Sequence, residues 1–223
     1  MPADIANLPP DQLARHLANP DGEVGLAVGD YMSRINSRVI ADAYRRLALR
    51  EGLRVLEIGP GNGESIAMLL RQFAGMTYAG VDISQTMLDA AAAANAALIA
   101  EGRIVMKRAS VIAMPFADAA FDRAVSVNCV YFWPDPSKAF AEIRRVLAPG
   151  AISLTATMTP ETAASSPVAK PQHGFRIYDG ATLDRLHRTA GFSDVSIDSY
   201  DEIAKRLDGT PFQRRYFMVR AVA

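Results

Sequence analysis

One stretch constrains this chain above all others: Val55-Leu56-Glu57-Ile58-Gly59-Pro60-Gly61-Asn62-Gly63, where a short apolar run breaks into three glycines spaced two apart. The apolar run reads as a strand buried on both faces, and the glycines as a turn feeding a helix that begins near Glu64. Lacking Cβ atoms, the turn adopts dihedrals that other residues avoid and lets a ligand approach the backbone closely. The ligand that suits such a strand-turn-helix is a nucleotide-like cofactor.

The spacing bears on which cofactor. A dinucleotide fingerprint places its third small residue so that helix and strand pack closely while the helix N-terminus faces a pyrophosphate. Gly59, Gly61 and Gly63 fit G-x-G-x-G, and Glu64 stands where the third glycine of that fingerprint belongs. A carboxylate there repels a pyrophosphate, which disfavours NAD. Glu57, just before the turn, can face a cationic group of the ligand instead.

Leu56-Glu57-Ile58-Gly59-Pro60-Gly61-Asn62-Gly63 resembles motif I of the class I S-adenosylmethionine-dependent methyltransferases. Further matches follow in the family's order: Gly80-Val81-Asp82-Ile83-Ser84, Met114-Pro115-Phe116-Ala117-Asp118, Phe121-Asp122, Trp133-Pro134-Asp135 and Arg145-Val146-Leu147-Ala148-Pro149-Gly150. The set resembles the small-molecule branch, the methyltransferase type 11 and ubiquinone-biosynthesis-like enzymes. It implies a three-layer α/β/α Rossmann-like methyltransferase fold with a seven-stranded, mostly parallel sheet and an antiparallel last strand. It also implies S-adenosyl-L-methionine as cofactor and S-adenosyl-L-homocysteine as product. The cofactor positions carried over by the motifs are Glu57, Gly59, Pro60, Gly61 and Gly63, then Asp82, Ile83 and Met87, then Ser110 and Val111, then Val127 and Asn128. At Ser110 the sequence departs from the family, which usually has an aspartate there to meet the adenine amine; a serine hydroxyl accepts such a bond as a neutral, shorter group.

Composition sets independent bounds. A chain of 223 residues, 50% hydrophobic, can bury a full core as one domain. With 24 basic and 24 acidic residues the net charge is zero, so the usual electrostatic footprint for nucleic acid is missing. One cysteine excludes an intramolecular disulfide and a thiolate-rich metal site; no metal is expected. Met1-Pro2-Ala3-Asp4 starts no signal peptide, and the apolar run from Ala90 to Ala100, interrupted by Asn95, is too short to span a bilayer. The expectation is a cytoplasmic protein with a small-molecule substrate, as monomer or homodimer.

In chain order, residues 1–30 read as an N-terminal arm and residues 31–223 as a single domain. Ile35, Val39, Ala43 and Leu47 recur at helical spacing from Tyr31 to Leu49. The resemblance lays this helix over the cofactor, with Tyr31, Met32 and Asn36 near the sulfonium end. Thr77 to Asp82 reads as a second strand, and a right-handed crossover sets Asp82 beside Gly61, where it can accept both ribose hydroxyls. Strand three is placed at Arg103–Ala109, strand four at Arg123–Val127. The stretch Asn128-Cys129-Val130-Tyr131-Phe132-Trp133 then reaches the same sheet edge, so Tyr131, Phe132 and Trp133 can wall an acceptor pocket, while Cys129 reads as a small buried hydrophobe. Strand five is expected at Ala151–Met158, strand six at Val195–Tyr200 and the last at Tyr216–Val222. Between strand five and the helix capped by Asp179, the structureless-looking segment 159–176 reads as a lid-like loop over the substrate.

The expected reaction is in-line transfer of the sulfonium methyl to an O, N or C acceptor, with Tyr31, Tyr131 and His173 as candidate acid-base residues. The substrate contacts are expected from Tyr31, Asn36, Tyr131, Phe132 and Trp133. A related protein that binds cofactor without turnover and a NAD-type enzyme are the alternatives.

Overall fold

The computed structural model describes residues 5–206 and 209–223. Met1 to Asp4, with the signal-peptide reading and the start of the arm, lies outside the described residues. Two helices precede the sheet, α1 (Pro10–Ala18) and α2 (Gly22–Arg46). α2 begins well before the expected Tyr31, and Gly25 and Gly29, weak helix formers, hide its N-terminal half in the sequence. Their missing Cβ atoms permit close packing: one at Gly25 would lie 2.7 Å from the carbonyl carbon of Pro20, and one at Gly29 would lie 2.8 Å from Met87 Sδ.

The chain then alternates through β1 (Arg54–Ile58), α3 (Glu64–Arg71), β2 (Thr77–Asp82), α4 (Gln85–Ala94), α5 (Ala96–Ala100), β3 (Ile104–Arg108), β4 (Phe121–Val127), α6 (Pro136–Val146), β5 (Leu147–Met158), α7 (Pro160–Ala164), α8 (Gly180–Thr189), β6 (Ser193–Lys205) and β7 (Pro211–Val222). The seven strands form one sheet in the order β3-β2-β1-β4-β5-β7-β6. Neighbouring strands from β3 to β5 are parallel, and β7 runs antiparallel to both β5 and β6. The order reverses between β1 and β4, which opens a ligand crevice at their carboxyl ends.

Strand alternation divides β1 between the two layers. Leu56 and Ile58 pack with Phe140, Ile143 and Val146 of α6 on one face. Val55 packs on the other with Val39 and Ala43 of α2 and Ile66 and Leu70 of α3. Leu56, Ile66, Leu70 and Phe140 are all fully buried, and each contributes about 1.5–3 kcal/mol by leaving water. Helix starts follow local chemistry: Ser84 accepts from the Met87 N–H, Asp135 from Lys138 and Asp179 from Thr182.

Two expectations are corrected. The last hairpin is longer than the expected Val195–Tyr200 and Tyr216–Val222, since β6 continues to Lys205 and β7 starts at Pro211. The extension pairs Asp201 with Arg215 and Glu202 with Arg214, so opposite charges meet across the strands. The segment after β5 is also not structureless: Thr159 caps α7, and a 3-10 turn spans Pro171–His173. Arg176 anchors its far end, donating from its backbone to the Tyr131 carbonyl at 3.1 Å and from Nη1 to those of Trp133 and Pro134.

Candidate functional site

The glycine turn divides its work among three residues, all at positive φ. Gly59 donates to the Val81 carbonyl at 2.8 Å, and a Cβ on it would sit 2.4 Å from Cys129 Sγ. Gly61 faces open space: beyond its chain neighbours, no atom of the described residues lies within 4 Å of where a Cβ would stand. Gly63 is pressed against α4, 2.7 Å from the Ala91 Cβ at that position. Asn95, which interrupts the alanine run, donates from Nδ2 to the Gly63 carbonyl at 3.0 Å. Gly63 therefore serves helix packing, and it lies outside the cavity lining.

That cavity, of about 560 Å³, occupies the crevice at the carboxyl ends of β1, β2, β3 and β4, a size suited to small-molecule ligands. Glu57, Gly59, Pro60, Gly61, Asp82, Ile83, Met87, Ser110, Val111, Val127 and Asn128 all line it, as do Tyr31, Asn36, Tyr131, Phe132 and Trp133. His173 does not: it sits in the turn after α7 with Nδ1 3.0 Å from the Val168 carbonyl. With Met32, seventeen sequence-predicted residues are thus brought together, and Gly63 and His173 are not.

Asp82 is half-buried, with Oδ1 accepting the Ser84 N–H at 2.9 Å. Desolvation raises its carboxyl above the ordinary range, and backbone N–H groups of Ser84, Ile83 and Gly61 pull it partly back. Glu57 is more deeply buried. Its Oε2 accepts both the Tyr44 hydroxyl at 2.6 Å and the Tyr78 hydroxyl at 2.8 Å. Burial raises this carboxyl too, against the two hydroxyl bonds. Burial also pushes the Cys129 thiol up to about 12; its sulfur packs under Gly59 as a neutral thiol, not a thiolate nucleophile.

Beyond this edge the cavity becomes aromatic. Tyr131 lies 4.7 Å from Phe132 and 5.1 Å from Phe175, centroid to centroid. Burial raises the Tyr131 hydroxyl well above the phenol range, so it stays protonated and can donate a hydrogen bond but cannot act as a phenolate base. Asn128, at φ 58°, has a buried Oδ1 without a partner among the described residues.

Several lining residues escaped the sequence reading: His16, Phe175, Arg206, Phe212, Arg214 and Tyr216. His16 comes from α1, and its Nδ1 is buried without a partner among the described residues. The others come from the segment after β5 and the hairpin extension. A period-two signal was there to find, since Glu202 and Ala204 on β6, and Arg214 and Tyr216 on β7, are the buried members of alternating strands.

The donor set fits S-adenosylmethionine. Gly61 leaves a bare backbone at the cavity wall, Asp82 and Glu57 offer carboxylates, Asn128 offers an unspent oxygen, and Ile83, Met87 and Val111 offer apolar surface for a base. Among the described residues no cluster of His, Cys, Asp and Glu converges as a metal site, and no helix is long and apolar enough to cross a membrane.

Residues 56–155 match the family model described as methyltransferase domain. Methyltransferase GfsG of Streptomyces halstedii is 31% identical over 121 residues, 54% of this chain and 43% of its own. O-methyltransferase resE of Aspergillus sclerotiorum is 26% identical over 166 residues, 72% of this chain and 62% of its own. The chain thus spans less than two thirds of the length of these two relatives. Among solved structures, the geranyl diphosphate C-methyltransferase of Streptomyces coelicolor, in complex with Mg2+, geranyl diphosphate and S-adenosyl-L-homocysteine, superposes with a TM-score of 0.67. That likeness covers 98% of this chain and 99% of the other at 16% identity, and it establishes the fold. The motif-bearing turn, the strand order and the matched segment agree, and residues 56–155 of this chain are a methyltransferase domain of the class I S-adenosylmethionine-dependent type.

Proposed function

We propose that the chain transfers a methyl group from S-adenosylmethionine to a small, largely apolar acceptor and releases S-adenosylhomocysteine. The observation that carries this reading is one continuous cavity joining the Gly61–Asp82 edge to the chamber of Tyr131, Phe132 and Phe175. When bound, S-adenosylmethionine supplies an electrophilic methyl on a sulfonium. Asp82 accepts the ribose hydroxyls, and charge-assisted bonds of that kind are worth about 1.5–3 kcal/mol each. Glu57 faces the ammonium, and Ile83, Met87 and Val111 enclose the adenine, with Ser110 near its amine. Tyr31 and Asn36 from α2, with Tyr131, hold the acceptor in line. Such positioning and exclusion of water supply up to about 7–11 kcal/mol in ideal cases. The segment 159–176 acts as a lid, a role supported by the contact of Phe175 with Phe132 at 4.6 Å. The neutral net charge supports a small metabolite over nucleic acid, and a cytoplasmic location goes with that reading.

Calorimetric titration with S-adenosylmethionine and S-adenosylhomocysteine, followed by detection of S-adenosylhomocysteine across an acceptor panel, tests the proposal. Micromolar binding of both with turnover of at least one acceptor is the expected result. Binding without turnover on any acceptor would favour a non-catalytic cofactor protein, and no binding of either would remove the assignment.

A further inference from the structure

The acceptor end of the cavity is walled by a buried ion pair whose two halves face different ways. Arg214 of β7 donates from Nη2 to Glu202 Oε1 of β6 at 2.5 Å, with side chains 8% and 3% exposed. Arg214 also donates from Nη1 to Asn36 Oδ1 at 3.0 Å and from Nη2 to the Ile35 carbonyl. Arg214 lines the cavity; Glu202 does not, and lines instead a separate outer groove with Arg34 and Arg38. The cation therefore stands on the inner side of the wall and the anion on the outer.

A guanidinium offers five N–H donors, and the fork's two terminal nitrogens are engaged. Nε is the exception: it is buried and has no partner among the described residues. An unsatisfied buried donor on a charged group is costly, so the protein gains from a ligand oxygen that answers it. Arg206, stacked 4.3 Å over the Phe212 ring, adds a second cation to the same lining. The carboxylates that line the cavity, Glu57 and Asp82, belong to the glycine-turn edge. The cavity is thus polarised, acidic where the cofactor is read and basic among Phe212, Tyr216, Phe132 and Phe175.

We propose that the acceptor is an apolar, ring-bearing acid whose carboxylate is received at the Arg214 guanidinium, with support from Arg206. The proposal rests on the reading of the cavity as a cofactor and acceptor site. Aromatic walls suit a flat hydrophobic body, and a planar cation suits a carboxylate better than a lysine would. Arg214 here is a recognition residue for the substrate's charge.

The test uses matched probes, 2-naphthoate against 2-naphthamide and 3-phenylpropionate against 3-phenylpropionamide, titrated into the full chain with and without saturating S-adenosylhomocysteine. Each acid is expected to bind roughly tenfold or more tightly than its amide, the difference a charge-assisted bond supplies. Removing Arg214 alone would strand Glu202 in the interior, so the variant is Arg214→Met with Glu202→Leu, a swap that buried ion pairs tolerate. It should keep S-adenosylhomocysteine affinity, which reports an intact fold, and lose the preference for acids. Equal binding of acid and amide, no binding of either acid, or a preference that survives in the double variant would overturn the proposal. Failure of S-adenosylhomocysteine to bind the parent would sink the cofactor reading instead, and the acid-against-amide comparison on the protein alone would still decide this one.

Discussion

Arg214 and Asn36 meet at 3.0 Å although 178 positions separate them. The bond closes one wall of the cavity by joining the helix before the sheet to the last strand of the sheet. Both side chains are buried, so neither can exchange its partner for water. Asn36→Leu keeps the volume and removes the acceptor, and it should cost about 1.5–3 kcal/mol for a hydrogen bond to a charged group. The urea midpoint of the variant reports this, and an unchanged midpoint would mean that the contact does not hold the wall.

Glu57 makes a second prediction. Tyr44 and Tyr78 both donate to Oε2, one from α2 and one from β2, so each removal leaves the same oxygen with one donor. Tyr44→Phe and Tyr78→Phe should each destabilise by about 1–3 kcal/mol. The double variant should lose more than the sum, because the last donor to a buried carboxylate goes with it. Strictly additive losses in a double-mutant cycle would argue against a shared acceptor.

How far the sequence carried these features depends on how local their causes are. β2 runs from Thr77 to Asp82 in both readings, and Asp179 caps the helix it was expected to cap, because strand alternation and capping are decided within a few residues. The start of α2 was not legible, since Gly25 and Gly29 look like helix breakers until Pro20 and Met87 are seen packed against them. The burial of Glu202 and Arg214 escaped the sequence reading, and only their pairing across β6 and β7 makes it tolerable. His173 carried the right chemistry but lies outside the cavity lining, while His16 reached the cavity from a helix whose docking no local pattern announces.

Gly61 and Gly63 should separate binding from folding. Both have positive φ, so alanine at either is strained by roughly 1 kcal/mol. At Gly61 the new methyl meets no protein atom and projects into the space assigned to the cofactor. At Gly63 it meets Ala91 Cβ at 2.7 Å and Ala91 Cα at 3.0 Å, and overpacking adds about 1–3 kcal/mol. Gly61→Ala should therefore weaken S-adenosylhomocysteine binding with little change in melting temperature, and Gly63→Ala should lower the melting temperature more. The reverse pattern would contradict the division of roles.

Asp82→Ala should weaken S-adenosylmethionine binding by roughly tenfold or more, the loss expected when charge-assisted bonds to ribose are removed. A pH signature accompanies it. The ribose hydroxyls bind the ionised carboxyl, whose pKa burial has raised. Affinity should therefore fall as pH drops through that raised value, approaching about tenfold per pH unit below it. Asp82→Asn should bind weakly at every pH and show no such slope. A dissociation constant that Asp82→Ala leaves unchanged would remove the ribose assignment.

His187 gives the clearest acid-stability prediction. It is fully buried in α8, its Nδ1 2.8 Å from the Leu183 carbonyl and its ring 4.0 Å from that of Phe140 and 5.6 Å from that of Phe192. Nε2 has no partner among the described residues, so a protonated ring would place a charge in an apolar layer. Burial accordingly lowers the imidazole from 6.5 to about 4. Between those values the unfolded chain binds a proton that the folded chain refuses, so stability is full above pH 6.5 and is lost as pH falls toward 4. The loss attributable to this one group is about 3 kcal/mol. Glu57 and Asp82, raised by burial, act in the opposite sense, their contribution being greatest at low pH and lost as pH rises. The measurement is therefore the difference between parent and His187→Gln, by urea unfolding at intervals from pH 7 to 4. The difference should shrink or reverse on acidification, because the variant lacks the group that must stay neutral. A constant difference across that range would show that His187 takes up its proton at the same pH folded as unfolded, so that burial does not hold it neutral.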